Sequence, residues 1–293
     1  MKMSQLVALG GGLLLPSMSH AASSVALIDV GSGAYSLASF DSASPGTAAY
    51  TPVTGLASGD NLMGLDFRPA NNSLYAVGTL SNVYTINRFT GSATLVGSYS
   101  ETVPGTTFGF DFNPALVGPT GPGQYARIIS DLNDNRVIDG ENGAYLGSTE
   151  KTDVFYAVGD ANEGADPNIA HIGYTNSIPG ATSTQQYGID ADLNVLVTVA
   201  NNAGTLMTVG SLGIDAGVLG GFDIDGATGE AILGFQQGGG ISSIYSVDLT
   251  TGAATSLGFL SGDIVGLTAV PEPSVALLGG LGAVAFFRRR RAS

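Results

Sequence analysis

Oxygen-bearing side chains crowd two short stretches of this chain. Asp131-Leu132-Asn133-Asp134-Asn135 places side-chain oxygens at alternate positions and is followed by Asp139 and Glu141. Asp160, Asn162, Glu163, Asp166 and Asn168 share a loop that also carries Gly and Pro. Hard cations such as calcium take carboxylate and amide oxygens at this kind of spacing. The first stretch is similar to the opening of a calcium loop, D-x-N-x-N. It departs from that pattern at Arg136, where a sharp-turn Gly belongs, and at Asn142, where a bidentate Glu belongs. The expected calcium ligands are Asp160, Asn162, Glu163 and Asp166 in one loop, and Asp131, Asn133 and Asn135 in the other. The alternative is that both are ordinary turns, where Asn and Asp are common. A third set, Asp66, Asp111 and Asp223, recurs at equivalent places in a repeat. These carboxylates suit a cation, acid–base chemistry, or bonds to neighbouring backbone amides. A catalytic site is normally unique, so repetition favours the structural role.

Other chemistries find no residues to carry them. The chain has no Cys, which removes disulfides, thiolate metal sites and a Cys nucleophile. Its body holds one histidine, His171, with no G-x-S-x-G elbow to make it part of a nucleophilic triad. It reads as a hydrogen-bonded structural residue. Zinc wants several His or Cys ligands, and no phosphate-binding Gly loop is present. Glycoside hydrolysis needs two carboxylates about one bond. Acids are plentiful, but linear spacing does not pair them, and the absence of Trp weakens a sugar-stacking site that only the 11 Tyr could supply. No catalytic residue or certain cofactor is assigned.

Repeats must position whatever chemistry exists. Short β-rich runs are separated by Gly, Asn, Asp, Ser and Pro, with little helical periodicity. Gly64-Leu65-Asp66-Phe67-Arg68-Pro69 returns as Gly109-Phe110-Asp111-Phe112-Asn113-Pro114, then as Gly221-Phe222-Asp223-Ile224-Asp225, and begins again at Gly266-Leu267-Thr268. A second motif, Asn87-Arg88-Phe89-Thr90-Gly91, corresponds to Asp248-Leu249-Thr250-Thr251-Gly252 and reads as a hairpin turn closing on Gly. First strands fall near residues 64, 109, 171, 221 and 266, steps of roughly 45–60 residues, which suits four-stranded propeller blades. One unit runs Phe108–Phe112, Ala126–Asp131, Asn135–Asp139 and Asp153–Val158. The fifth first strand, Gly266–Val270, lacks followers, while Val25–Val30, Tyr35–Phe40 and Thr47–Val53 lack a first strand. Joined, they complete a blade from both termini and remove open sheet edges. The expected fold is all-β, a five-bladed β-propeller, with six blades or a β-solenoid as alternatives.

The ends read as addresses. Residues 1–22 have a basic Lys2, an apolar run from Leu6 to Leu15 and small residues near Ala21, the pattern of a signal peptide. Residues 23–270 form the propeller domain. Residues 271–293 contain Pro271-Glu272-Pro273, an apolar run from Val275 to Phe287 and Arg288 to Arg291. By the positive-inside rule the arginines keep that end cytoplasmic. This order resembles the PEP-CTERM sorting signal of Gram-negative bacteria, with a plain tail anchor as the alternative. The resemblance implies export across the inner membrane, transient contact with it through the C-terminal helix, processing by exosortase, and association with exopolysaccharide and biofilm matrix. The repeats, with Tyr174-Thr175-Asn176, Tyr187-Gly188-Ile189-Asp190 and Gly210-Ser211-Leu212-Gly213, resemble a secreted bacterial propeller-like family known as a domain of unknown function. That resemblance implies fold and location and no catalytic residues.

Charge agrees with such a setting. Between Lys2 and Arg288 lie 24 acids and five bases, a balance of −19. Such a body repels phosphate backbones, so nucleic acid is excluded as a partner. The expected role is a non-enzymatic surface or matrix protein that binds exopolysaccharide. A glycan hydrolase and a surface protein-interaction module are the alternatives.

Overall fold

Runs rich in Val, Ile, Leu, Tyr and Thr form strands here because β-branched and aromatic side chains pack well on a pleated surface. Gly and Asn close the turns between them, in left-handed conformations that Asn72, Asn133 and Gly91 adopt with φ of 54°, 66° and 70°. A computed structural model describes residues 22–146 and 152–271. The expected signal peptide, Ala22 apart, and the sorting tail, Pro271 apart, lie outside the described residues. Among the described residues there is no α-helix, and none is long and apolar enough to cross a membrane.

The chain opens with β1 (Ser23–Gly31), β2 (Ala34–Asp41) and β3 (Ala49–Pro52). Blade I follows, with β4 (Leu62–Arg68), β5 (Ser73–Gly78), β6 (Asn82–Ile86) and β7 (Ala93–Ser98). Blade II has β8 (Phe108–Phe112), a small ribbon of β9 (Val117–Gly118) and β10 (Gly121–Pro122), then β11 (Tyr125–Ser130) and β12 (Asn135–Asp139). After β13 (Phe155–Tyr156), blade III comprises β14 (Ile169–Tyr174), β15 (Gln186–Asp190), β16 (Val195–Ala200) and β17 (Thr205–Ser211). Blade IV is β18 (Gly220–Ile224), β19 (Ala231–Gly238), β20 (Ile241–Val247) and β21 (Ala254–Ser261). Finally β22 (Asp263–Ala269) pairs with β1, giving the sheet order β22-β1-β2-β3. Blade V therefore joins both ends of the body, and the fold is a five-bladed propeller. Six blades and a solenoid are not what the chain adopts.

The expected second unit needs one correction. Residues 153–158 do not supply its fourth strand. Phe155 and Tyr156 instead run parallel to β17, on the outer edge of blade III. The pull is apolar and polar together. Val154 and Tyr156 pack with Ile129, Ile169, Val197, Val199 and Leu206, and the Tyr156 hydroxyl donates to Asp190 Oδ2 at 2.7 Å. Blade II keeps three strands, and its fourth position shrinks to a single bridge between Ile138 and Tyr145.

The core is divided among the seams. Five apolar clusters lie one to each gap between neighbouring blades. Leu27, Leu37, Leu65 and Leu74 fill the V–I seam, and Val77, Val83, Phe110 and Ile128 fill the I–II seam. Leu196, Phe222, Ile224 and Leu233 close III–IV, and Ala26, Ile232, Ile244 and Ile264 close IV–V. The cluster around Ile129 and Tyr156 occupies II–III. Near the axis the inner strands approach too closely for side chains. A Cβ on Gly221 would stand 2.2 Å from the backbone nitrogen of Leu267.

Gly221→Ala is therefore expected to force β18 and β22 apart and to cost about 1–3 kcal/mol. Gly46→Ala, whose new Cβ meets nothing nearer than 3.8 Å, should stay within about 0.5 kcal/mol of the parent. Urea unfolding of the two variants measures the contrast.

Candidate functional site

The five inner strands, β22, β4, β8, β14 and β18, stand side by side around the axis. On each, the edge turned away from its own sheet has no ladder partner. Amides on that edge must find acceptors elsewhere, because buried N–H groups are rarely left unpaired.

The repeat carboxylates provide them, from one blade to the next. Asp66 Oδ2 of blade I accepts the Phe112 amide of blade II at 2.8 Å. Asp111 of blade II faces the Tyr174 amide of blade III. Asp223 Oδ2 of blade IV accepts the Ala269 amide of blade V at 2.7 Å. In blade V the place is taken by Thr268, whose Oγ1 receives the Phe67 amide of blade I at 3.4 Å. Blade III breaks the series. Its strand reads His171-Ile172-Gly173 where the others read Gly-Leu-Asp, Gly-Phe-Asp or Gly-Leu-Thr, and Gly173 has no side chain to offer. The orphaned Ile224 amide is taken by Oδ1 of its own neighbour, Asp223, at 2.6 Å.

This arrangement brings three carboxylates together. Asp66, Asp111 and Asp223 are 2%, 1% and 4% exposed, and a ligand oxygen from each lies within 4.8 Å of the others. Among the described residues they form the one such group of acids, His or Cys. Thr268 Oγ1 sits 2.9 Å from both Asp66 Oδ1 and Asp223 Oδ2. Burial, then the charge of Asp223, pushes Asp66 well above the usual carboxylate range, with the Phe112 amide opposing. Burial, then Asp66 and Asp223, does the same to Asp111. Asp223 is raised by burial and held back by the amides of Ala269 and Ile224.

Above the carboxylates the axis narrows to a space of about 10 Å³ lined by Gly64, Gly109, His171, Gly221 and Gly266. That admits about one water. It opens into a mouth of about 400 Å³, lined by Asp29, Tyr35, Asn61, Thr106, Gln236 and Asp263. Asp29 and Asp263 are direct partners across β1 and β22. His171 gives Nε2 to the Gly217 carbonyl at 2.9 Å, while Nδ1 has no partner. Burial, opposed only by that carbonyl, pushes it down to about 4, so the ring is neutral at pH 7.

The two oxygen-rich loops behave differently. Asp131 accepts Thr106 N and Oγ1. Asn135 takes Arg127 Nη1 on its oxygen and gives Nδ2 to Asn201. Asp160 accepts Thr208 N and Oγ1 and the Asn162 amide, and Glu163 accepts Gly159 N. Asn162 Nδ2 reaches Thr208 Oγ1. The loops meet where Asn133 Nδ2 donates to Asp166 at 2.7 Å. Their oxygens cap turns and join loops, and their acids do not gather as the axial three do.

A third feature is open. Between the β4–β5 and β6–β7 turns of blade I lies a groove of about 470 Å³, lined by Asn72, Ser73, Thr85, Arg88, Phe89 and Thr94. Phe89 is 75% exposed, and the Arg88 guanidinium lies 4.5 Å from its ring centre. Asn87 Oδ1 fixes the turn by accepting the amides of Phe89 and Thr90. Arg68, Arg127 and Arg136, by contrast, are buried and bonded inside blades I and II.

A family model described as a domain of unknown function (DUF4394) matches residues 36–268. No curated protein matches by sequence. Among solved structures the chain is similar to hydrazine synthase of Kuenenia stuttgartiensis, at 11% identity and TM-score 0.39, covering 72% of this chain and about half, 53%, of that one. It is similar to a nidogen/laminin complex at 10% identity and TM-score 0.48, covering 85% and 98%. A putative 6-phosphogluconolactonase from Bacteroides uniformis gives 11% and 0.42, with 83% of each chain covered.

Two expectations follow. Asp66→Ala strands the buried Phe112 amide and should cost roughly 1–3 kcal/mol, while Asp66→Asn keeps an acceptor and should cost far less; equilibrium unfolding separates them. His171 titrates lower folded than unfolded, where 6.5 is ordinary. Its contribution is present above about 6.5 and lost as pH falls towards 4. His171→Gln should therefore gain on the parent as pH drops from 7 to 4.5, read from urea midpoints at each pH.

Proposed function

Since the chain belongs to the DUF4394 family, a domain of unknown function, we propose its role from its own surfaces: an exported, non-catalytic surface or matrix protein that binds extracellular polysaccharide. The blade I groove carries this reading. An exposed aromatic ring offers an apolar face to a sugar, and the amides and hydroxyls of Asn72, Ser73, Thr85 and Thr94 match its rim. Arg88 sets a positive charge within an acidic body, where an anionic polymer would need one.

Export and sorting rest on the ends of the sequence. Pro271-Glu272-Pro273, the apolar run and the arginines suit exosortase processing after passage across the inner membrane of a Gram-negative bacterium. The body supports this. Its last inter-strand bond runs from Val270 N to Ser23 O, so cleavage near Pro271 would leave every blade intact. Calcium, in this reading, bridges the acidic surface of the body to acidic polymer.

One observation favours a second reading, a glycan hydrolase. Asp29 and Asp263 face each other at the rim of the mouth, and paired carboxylates about an open pocket are what such chemistry needs. The axial three are too enclosed to reach a polymer.

The test is co-sedimentation of the purified full chain, in mild detergent, with exopolysaccharide from the producing organism, in calcium and then in EDTA. Pelleting is expected without new reducing ends, and Phe89→Ser should weaken it roughly tenfold, the effect of losing one aromatic anchor. No pelleting, or pelleting indifferent to Phe89, would sink the groove. Reducing ends that vanish in Asp263→Asn would establish the hydrolase instead.

A further inference from the structure

We propose that Asp66, Asp111, Asp223 and Thr268 hold one hard divalent cation of the calcium type on the propeller axis. This site is separate from the acidic loops and does not depend on polysaccharide binding.

The argument begins with charge. Three buried carboxylates converge, and no basic side chain is bonded to any of them. Something positive must balance them, since isolated buried anions are too costly to keep.

Hydrogen bonding then limits the choices. Thr268 has one hydroxyl proton but stands 2.9 Å from two carboxylate oxygens. It can donate to one, and the other contact is left as oxygen against oxygen. Asp111 Oδ1 is buried and accepts no hydrogen bond at all. The Asp111 carboxyl lies instead against that of Asp223. Oxygens that face one another without donors are the signature of a position awaiting a cation. Protons shared among the carboxyls are the competing solution.

Donor type sets the class of ion. All the candidate ligands are carboxylate or hydroxyl oxygens, which suit hard cations and not zinc or copper. One oxygen from each carboxylate lies within 4.8 Å of the others, close enough for a single ion to touch all three. Gly173, lacking a side chain, supplies no ligand from blade III. Met63, Phe108, Gly220 and Val265 line both the mouth and the narrow axial space, while Asp66 and Asp223 line a separate space of about 10 Å³ with Ser177, Asp225 and Ala269. Asp29 and Asp263 at the rim would draw cations towards the mouth.

The test uses the purified full chain, stripped with EDTA, reloaded with calcium chloride and dialysed against metal-free buffer. Elemental analysis should find about one calcium per chain. Saturating calcium, at a hundredfold its dissociation constant, should raise the melting temperature by roughly 5–10 °C. Asp111→Asn should lose both the ion and the shift, yet melt in EDTA no lower than the parent, because it also relieves repulsion. Asp160→Asn with Asp166→Asn should keep both. Three results would overturn the proposal. One is no bound ion and no shift. Another is an ion lost with the loop variant but kept by Asp111→Asn. The third is a metal-indifferent melting temperature that climbs as pH falls from 7 to 5 in the parent but not in Asp111→Asn, which assigns protons to the three carboxyls.

Discussion

An inner propeller strand has one edge with no strand beside it, and this constraint shapes the centre of the molecule. Amides along that edge still need acceptors. Here four of the five are met by a side chain from the preceding blade, Asp66 for Phe112, Asp111 for Tyr174, Asp223 for Ala269 and Thr268 for Phe67, and the fifth, Ile224, by its own neighbour Asp223. The same bonds that link blade to blade therefore crowd three carboxylates around one axis. A backbone problem is solved locally in each repeat, and an electrostatic problem is created where the solutions meet. The glycines above this level let the strands come close enough for the bonds to form, and the five apolar seams hold them there.

Much of this was legible in the residues. Three Gly-x-Asp triplets and a degenerate Gly266-Leu267-Thr268 located four inner strands, and the orphan strands at the two ends implied their union in blade V. The Asn87 and Asp248 turns are found where the motif placed them, with a side-chain oxygen capping two amides in each. Blade III lacks the triplet, because His171 and Gly173 replace both diagnostic residues, yet spacing placed its first strand near residue 171, where β14 lies; its alignment to the other inner strands comes from the Tyr174 amide that faces Asp111. Phe155 and Tyr156 have the alternation of any short strand, and nothing local says which blade will claim them. That choice was made by a seam and by a hydroxyl bond to Asp190, 34 residues away.

The acidic loops illustrate a different limit. Asp160 and Asp131 have the right atoms for a cation, but their oxygens already accept amides and hydroxyls from Thr208 and Thr106. Thr208 is 48 residues from Asp160, and no spacing rule reveals that partner. Conversely, Asp66 and Asp223 are 157 positions apart in a linear reading and adjacent in the fold. Exposure was equally hidden. In the paired turns Arg88 aligns with Leu249, which packs against the III–IV seam, and Phe89 aligns with Thr250, yet Phe89 faces solvent.

Closure through blade V also dictates an order of events. Ser24 pairs with Ala269 and Asp29 with Asp263, so the first strand made waits for the last. Until residues 263–269 emerge, β1 presents a bare edge and the V–I and IV–V seams stay half-built. Contacts this distant in sequence are slow to form, and unpaired edges invite association with other chains. The ring can therefore lock only after synthesis of the whole body is complete. A chain whose final strand has not yet arrived therefore remains unlatched, whatever the state of its other four blades.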